Sequence, residues 1–299
     1  MVAPPAPLAD GEVVLACDVT ACGEIGVLVT TDPGLARGFV TRPHGNRLPF
    51  YRPPRPCPAA LYRYDSPDWH RVELDGLPVS YPMLALLPRD EVLIACPRTP
   101  WIGERGEPRN AHVFSPDGTH LRTFTLGDDI AELVVDDVGT IWTAHGEEGY
   151  FSLDNRSGLV RCDGHGKRMW DSGIACSDTA VNAHAGTVWA SRASSLIRAQ
   201  LEELTGRPTP SGFDATIEYE SPSRRVHAIA FTDDRLLLAD PDIESLWCEL
   251  GDVVQQIDTA QLVDSAGHAI DYWAVLRSHG SRLYLQDYGD GWLCVDIAE

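Results

Sequence analysis

Two short stretches, "DDVGTIWTAH" at 136–145 and "HAGTVWAS" at 184–191, are copies of one unit: strand, tight glycine turn, strand. Gly186 stands where Gly139 does, and Trp189 where Trp142 does. A recurring unit of this size constrains a chain more than any local propensity, because each copy must bury its apolar surface against the next. The grammar continues in "EVVLACDVTACGEIGVLVTTD", "YPMLALLPRDEVLIAC", "VHAIAFTDDRLLLAD" and "YWAVLRSHGSRLYLQD". These apolar runs are too short for helices and are bounded by breakers, so they read as hairpins.

Each hairpin is followed by a more amphipathic pair, as in "ALYRYDSPDWHRVEL", "HVFSPDGTHLRTFTL" and "LVRCDGHGKRMWDSG", with "SPDG" and "DGHG" as turn chemistry. Third strands begin near Leu61, His112, Leu159, Leu196, Leu246 and Trp292, a spacing of 37 to 51 residues. That period suits four-stranded blades stacked radially, which covers both faces of every sheet and leaves only short edges. The expected fold is all-β: a six-bladed β-propeller of four-stranded antiparallel blades, with residues 1–299 forming one domain. The blades fall near 12–75, 81–126, 130–171, 177–220, 226–258 and 271–297. After "GWLCVDIAE" no fourth strand remains for the sixth blade. That blade is therefore either three-stranded or closed by a short edge from the proline-rich N-terminus. Trp142 and Trp189 are expected to pack between blades.

Net charge is −20, from 44 Asp and Glu against 24 Lys and Arg, a field that repels phosphate backbones and anionic lipid. Nucleic-acid and membrane partners are not expected, and no run approaches the roughly 18 apolar residues of a membrane span. The start "MVAPPAPLAD" has neither a basic region nor an apolar core, and the eight cysteines lack zinc-ligand spacing. Reduced thiols and a cytoplasmic location are the expectation.

The blade unit resembles blades of bacterial sensor-type propellers and of virginiamycin B lyase, in which D-x-G-x-(I/V/L)-W recurs. The resemblance is clear over two blades and implies architecture. "ADGEVVLACDV" is similar to the first blade of the gluconolactonase and regucalcin family, which implies a divalent-metal ligand at Glu12. The Gly-Pro-x-Trp that follows in that family is absent here, so its activity does not carry over.

In a propeller the first strand of each blade lines the channel, and first-strand starts share a face with second-strand ends. That face gathers Glu12, Tyr81, Asp129, Glu132, Asp178, His227, Asp271 and Tyr272 with Asp32, Arg98, His145, Arg192, Asp240 and Asp287. Carboxylates and imidazoles drawn from different blades can hold a cation or exchange protons. The candidate catalytic set is His227, Glu132, Asp178 and Asp271. Candidate metal ligands are Glu12, Asp178, His227 and Asp240, for calcium, zinc or manganese. Candidate substrate contacts are Arg98, His145, Arg192, Trp101, Tyr150, Tyr272 and Tyr81.

Long connections at 32–58, 97–110 and 146–158 would form a lid rich in arginine and aromatics. Two functions fit: a small-molecule site at the channel mouth, with hydrolase, lyase or isomerase chemistry, or a non-catalytic propeller docking a protein on its arginine and aromatic rim. No nucleophile elbow, phosphate loop, dinucleotide fingerprint or H-E-x-x-H occurs.

Overall fold

Each sequence hairpin becomes the inner pair of a sheet. In blade 1, β1 (Val13–Val19) and β2 (Ile25–Thr30) precede a separate ribbon, β3 (Phe39–Thr41) with β4 (Arg47–Pro49). The blade then finishes with β5 (Ala60–Asp65) and β6 (Asp68–Glu73). Blade 2 is β7 (Met83–Leu86), β8 (Val92–Ala95), β9 (Ala111–Phe114) and β10 (His120–Phe124). Blade 3 is β11 (Ile130–Val135), β12 (Ile141–His145), β13 (Leu159–Cys162) and β14 (Arg168–Asp171). Blade 4 is β15 (Val181–His184), β16 (Thr187–Arg192), β17 (Ser195–Leu201) and β18 (Phe213–Glu220). Blade 5 is β19 (Ala228–Phe231), β20 (Arg235–Ala239), β21 (Ser245–Leu250) and β22 (Val254–Ala260). Blade 6 has three strands, β23 (Val275–His279), β24 (Arg282–Asp287) and β25 (Gly291–Asp296).

This computed structural model describes residues 3–41, 47–49, 53–99, 109–150, 158–173, 180–192, 194–201, 213–223, 226–239, 245–263, 266–268, 275–287 and 291–298. The inner strands β1, β7, β11, β15, β19 and β23 contact one another in that order, and β23 returns to β1. The architecture is a six-bladed propeller with antiparallel blades.

The ring is held by six apolar clusters, one at each blade junction. Side chains alternate across a strand, so one strand serves two junctions. Leu84 and Leu86 pack toward blade 1, whereas Ala85 and Leu87 pack toward blade 3. Alanines at 85, 144, 183, 190, 228, 230 and 239 lie on first and second strands, near the axis where blades approach most closely. Trp142 packs at the junction of blades 3 and 4, and Trp189 at that of blades 4 and 5. Burying such a ring stabilises a junction by roughly 2–3 kcal/mol, by analogy with other large side chains. Each also carries an arginine from the adjacent third strand over its face, Arg161 at 5.8 Å and Arg198 at 5.7 Å.

The repeated motif has a specific cause in blade 3. Asp136 Oδ1 accepts from the N–H groups of Val138 (3.1 Å) and Thr140 (2.8 Å), and Oδ2 accepts from the Trp142 indole (3.0 Å). Gly139 sits at φ 83°, where a side chain is strained. In blade 4 the position of Asp136 is taken by Ala183, and the turn tightens to Ala185 (φ 47°) and Gly186 (φ 76°) between paired His184 and Thr187. The two copies share glycine and tryptophan but not the turn.

Closure combines both expected solutions. Blade 6 keeps three strands, and the Trp292 N–H donates to the Ala3 carbonyl at 2.8 Å in a single bridge. Prolines at 4, 5 and 7 lack the donors to extend it. Among the described residues no helix is long and apolar enough to cross a membrane.

Candidate functional site

Inner strands send most side chains into blade junctions, and within their apolar runs three positions are charged. Asp18 lies on β1, Glu132 on β11 and Arg277 on β23, so blades 1, 3 and 6 each contribute one group. Their fields act on one another across the axis. Asp18 is 5% exposed, and its Oδ2 accepts from the Leu86 N–H at 2.8 Å, linking blade 1 to blade 2. Burial pushes its carboxyl up to about 7, against the Leu86 hydrogen bond and the Arg277 charge. Burial also raises the Glu132 carboxyl, opposed by Arg277. Glu132 is only half-buried by surface area although protein surrounds it, which is the situation of a channel wall.

Arg277 is placed by backbone: Nε donates to the Cys17 carbonyl (3.3 Å) and one terminal nitrogen to the Leu276 carbonyl (2.9 Å). Two residues on, His279 is 6% exposed, beside the Val19 backbone of blade 1. Burial lowers its pKa to about 4, so the ring is neutral at pH 7, and its Nδ1 is buried with no hydrogen-bond partner. Asn182 on β15 gathers the other side of the ring. Its Nδ2 donates to the carbonyls of Ile229 (2.6 Å) and Gly280 (2.8 Å), and its Oδ1 accepts from the Gly280 N–H (2.8 Å). Blades 4, 5 and 6 thus converge on one amide. A carboxyl titrating near neutrality beside a fixed cation can bind a polar ligand or exchange a proton with it.

At the mouth, the residues singled out from sequence are dispersed. Glu12 turns to the outer strands of blade 1: it accepts from Tyr62 Oη (2.8 Å), the Ala9 N–H (2.8 Å) and both Arg71 Nε (3.1 Å) and a terminal nitrogen (2.8 Å). Burial alone would raise its carboxyl, but these donors hold it below the ordinary value. A cation would have to displace the Arg71 guanidinium, so this donor set does not fit the metal ligand that the family resemblance implies. Among the described residues no group of three or more His, Cys, Asp or Glu side chains could share a metal.

Arg98 bonds Asp129 (2.6 Å) and Glu148. His145 is fully buried between Thr143 Oγ1 (2.9 Å) and the Asp128 carbonyl (2.8 Å), and burial lowers its pKa. Tyr150 ends a short turn of helix, α2 (Glu147–Tyr150), at the same junction. Tyr81 donates to the Arg37 carbonyl (2.8 Å), bracing the loop that follows α1 (Pro33–Ala36). Arg192 pairs with Glu218 of β18 (3.3 Å), and His227 is exposed. Arg98, His145 and Tyr150 therefore share one junction, whereas Glu12, Arg192 and His227 stand apart in blades 1, 4 and 5. Trp101, Asp178, Asp240, Asp271 and Tyr272 lie outside the described residues, as do the parts of the lid at 42–46, 50–52, 100–108 and 151–157.

Asp18, Arg277 and His279 were not singled out from sequence. The available signal was a lone charge inside the apolar first strands "VLACDV" and "AVLRSH".

No family model matches the chain, and no curated protein sequence matches it. Its fold is shared with solved structures. A chain of the mitotic checkpoint complex superposes over 98% of this chain and 79% of its own, with 8% identity and a TM-score of 0.55. A functionally unknown protein from Desulfotomaculum acetoxidans DSM 771 covers 97% and 84%, with 9% identity and a TM-score of 0.54. At such identities the likeness is one of fold.

Proposed function

We propose that this protein is a ligand-binding propeller that holds a small polar molecule in its central channel. A cationic or hydroxyl group of the ligand meets Asp18 and Glu132, and an anionic group meets Arg277. The observation that carries this reading is that Arg277, held on backbone carbonyls through Nε and one terminal nitrogen, forms no ion pair with Asp18 or Glu132, whose carboxyl groups feel its charge and are raised by burial. A purely structural network would close such charges onto one another, because unpaired charge in a low-dielectric setting is costly. Proton exchange with the ligand at Asp18 is chemically available, but the reading assigns binding, not turnover.

The test is native mass spectrometry of the purified protein after incubation with a metabolite extract. Wild type is expected to retain a small molecule that Glu132→Gln and Arg277→Gln both lose while folding normally. Equal retention by both variants, or none by wild type, would refute the channel site.

A further inference from the structure

On the face opposite the mouth, a cavity of about 920 Å³ runs beneath blades 6, 1 and 2. It touches the β1–β2 turn, the β5–β6 turn, the turns of blade 2 and the outer strands of blade 6. Four carboxylates border it, Glu24, Asp65, Asp90 and Asp296, against two arginines, Arg63 and Arg282. Both arginines are already neutralised in place. Arg63 bonds Glu24 and pairs with Asp90 at 3.3 Å, and Arg282 bonds Asp296 at 2.8 Å. The groove keeps a formal excess of two negative charges, four against two. Tyr64 and Tyr284 border it as buried side chains of the blade 6–blade 1 junction.

We propose that this groove docks a basic, extended segment of a partner protein. Two features select that occupant. The excess of carboxylate is complementary to lysine and arginine, and the molecule's net charge of −20 steers basic partners toward it. The cavity spans three blades, more than one side chain or small cation fills, and β25, whose outer flank carries the Ala3–Trp292 bridge, forms one wall. A strand laid along a sheet flank gains backbone hydrogen bonds, and pockets on alternate residues give it selectivity. The channel reading is independent of this site.

The experiment is fluorescence anisotropy with a labelled peptide of alternating lysine and valine. Asp65 is exposed, so its substitution leaves the fold intact. Asp65→Lys is expected to weaken binding about fivefold or more, with Asp65→Asn intermediate, and added salt to weaken it further. Asp252→Lys makes the same change in net charge on an exposed turn of blade 5 and is expected to leave affinity unchanged. The proposal is overturned if wild type does not bind the peptide, or if Asp252→Lys weakens it as much as Asp65→Lys. Displacement of the peptide by spermine at matched charge would overturn it too, since the groove would then read charge and not a chain.

Discussion

Asn182→Ala tests how the ring is held. The wild-type amide makes three hydrogen bonds with blades 5 and 6 and is fully buried. After truncation the Gly280 carbonyl still receives the Phe231 N–H at 2.9 Å, but the Ile229 carbonyl and the Gly280 N–H lose the Asn182 partner. A net hydrogen bond contributes about 1 kcal/mol, and an orphaned buried group costs about 1–3 kcal/mol. Two orphans bring the expected loss to about 3–4 kcal/mol. With an unfolding entropy of about 2 cal/mol/K per residue, a chain of 299 residues should drop by about 5–6 °C in Tm. Asn182→Asp should cost more, because a carboxylate would face two carbonyl oxygens. Asn110 is the internal control: its amide donates to the Cys96 and Gly127 carbonyls (both 2.8 Å) and accepts from the Leu126 N–H (2.9 Å) around blade 2. Calorimetry should find comparable losses for Asn110→Ala and Asn182→Ala. Hydrogen exchange should localise them differently, to β8 and β9 in the first case and to β19 and β23 in the second. A loss below about 1 kcal/mol for Asn182→Ala, or unchanged exchange in β19 and β23, would refute the reasoning.

Three further outcomes follow from the same geometry. The Asp18 carboxyl is raised from 3.8 to about 7, so its contribution is full below pH 4 and is lost as pH rises through 7. His279, lowered from 6.5 to about 4, works in reverse, losing its contribution as pH falls through 4. Asp18→Asn keeps an acceptor for Leu86 and removes the buried charge. Its Tm relative to wild type should therefore be higher at pH 8 than at pH 5, and a difference that does not vary with pH would contradict the burial argument. Asp136→Ala should cost about 2–3 kcal/mol by removing three accepted hydrogen bonds, one from the buried Trp142 indole, with a change in tryptophan fluorescence as the second readout. Gly118→Ala should destabilise the junction of blades 1 and 2, because φ is 86° and a Cβ there collides with the Glu73 carbonyl oxygen. Wild-type urea stability for that variant would show the turn to be pliable.

The fold was legible because its determinants are local and repeated. A period-two strand with alanine near the axis and leucine or tryptophan farther out announces a sheet covered on both faces, and "DDVGTIW" and "HAGTVW" mark the same junction in consecutive blades. At the sixth blade the described residues show three strands and the Ala3–Trp292 bridge, the two closures that the sequence left open.

The candidate site was legible only in part, and the reason is geometric. Topology fixes which strand ends share the mouth, but not which way each side chain turns there. Glu12 and Arg192, both at strand ends, swing outward to Arg71 and Glu218 because those partners sit on the outer strands of their own blades. His145 goes into the interior, where Thr143 and the Asp128 carbonyl satisfy it. Mid-strand positions are more constrained, because alternation sends successive side chains to the two blade faces in turn. A lone charge inside the apolar first strands "VLACDV", "IAELVV" and "AVLRSH" is the signal that marks Asp18, Glu132 and Arg277, whose charges are coupled.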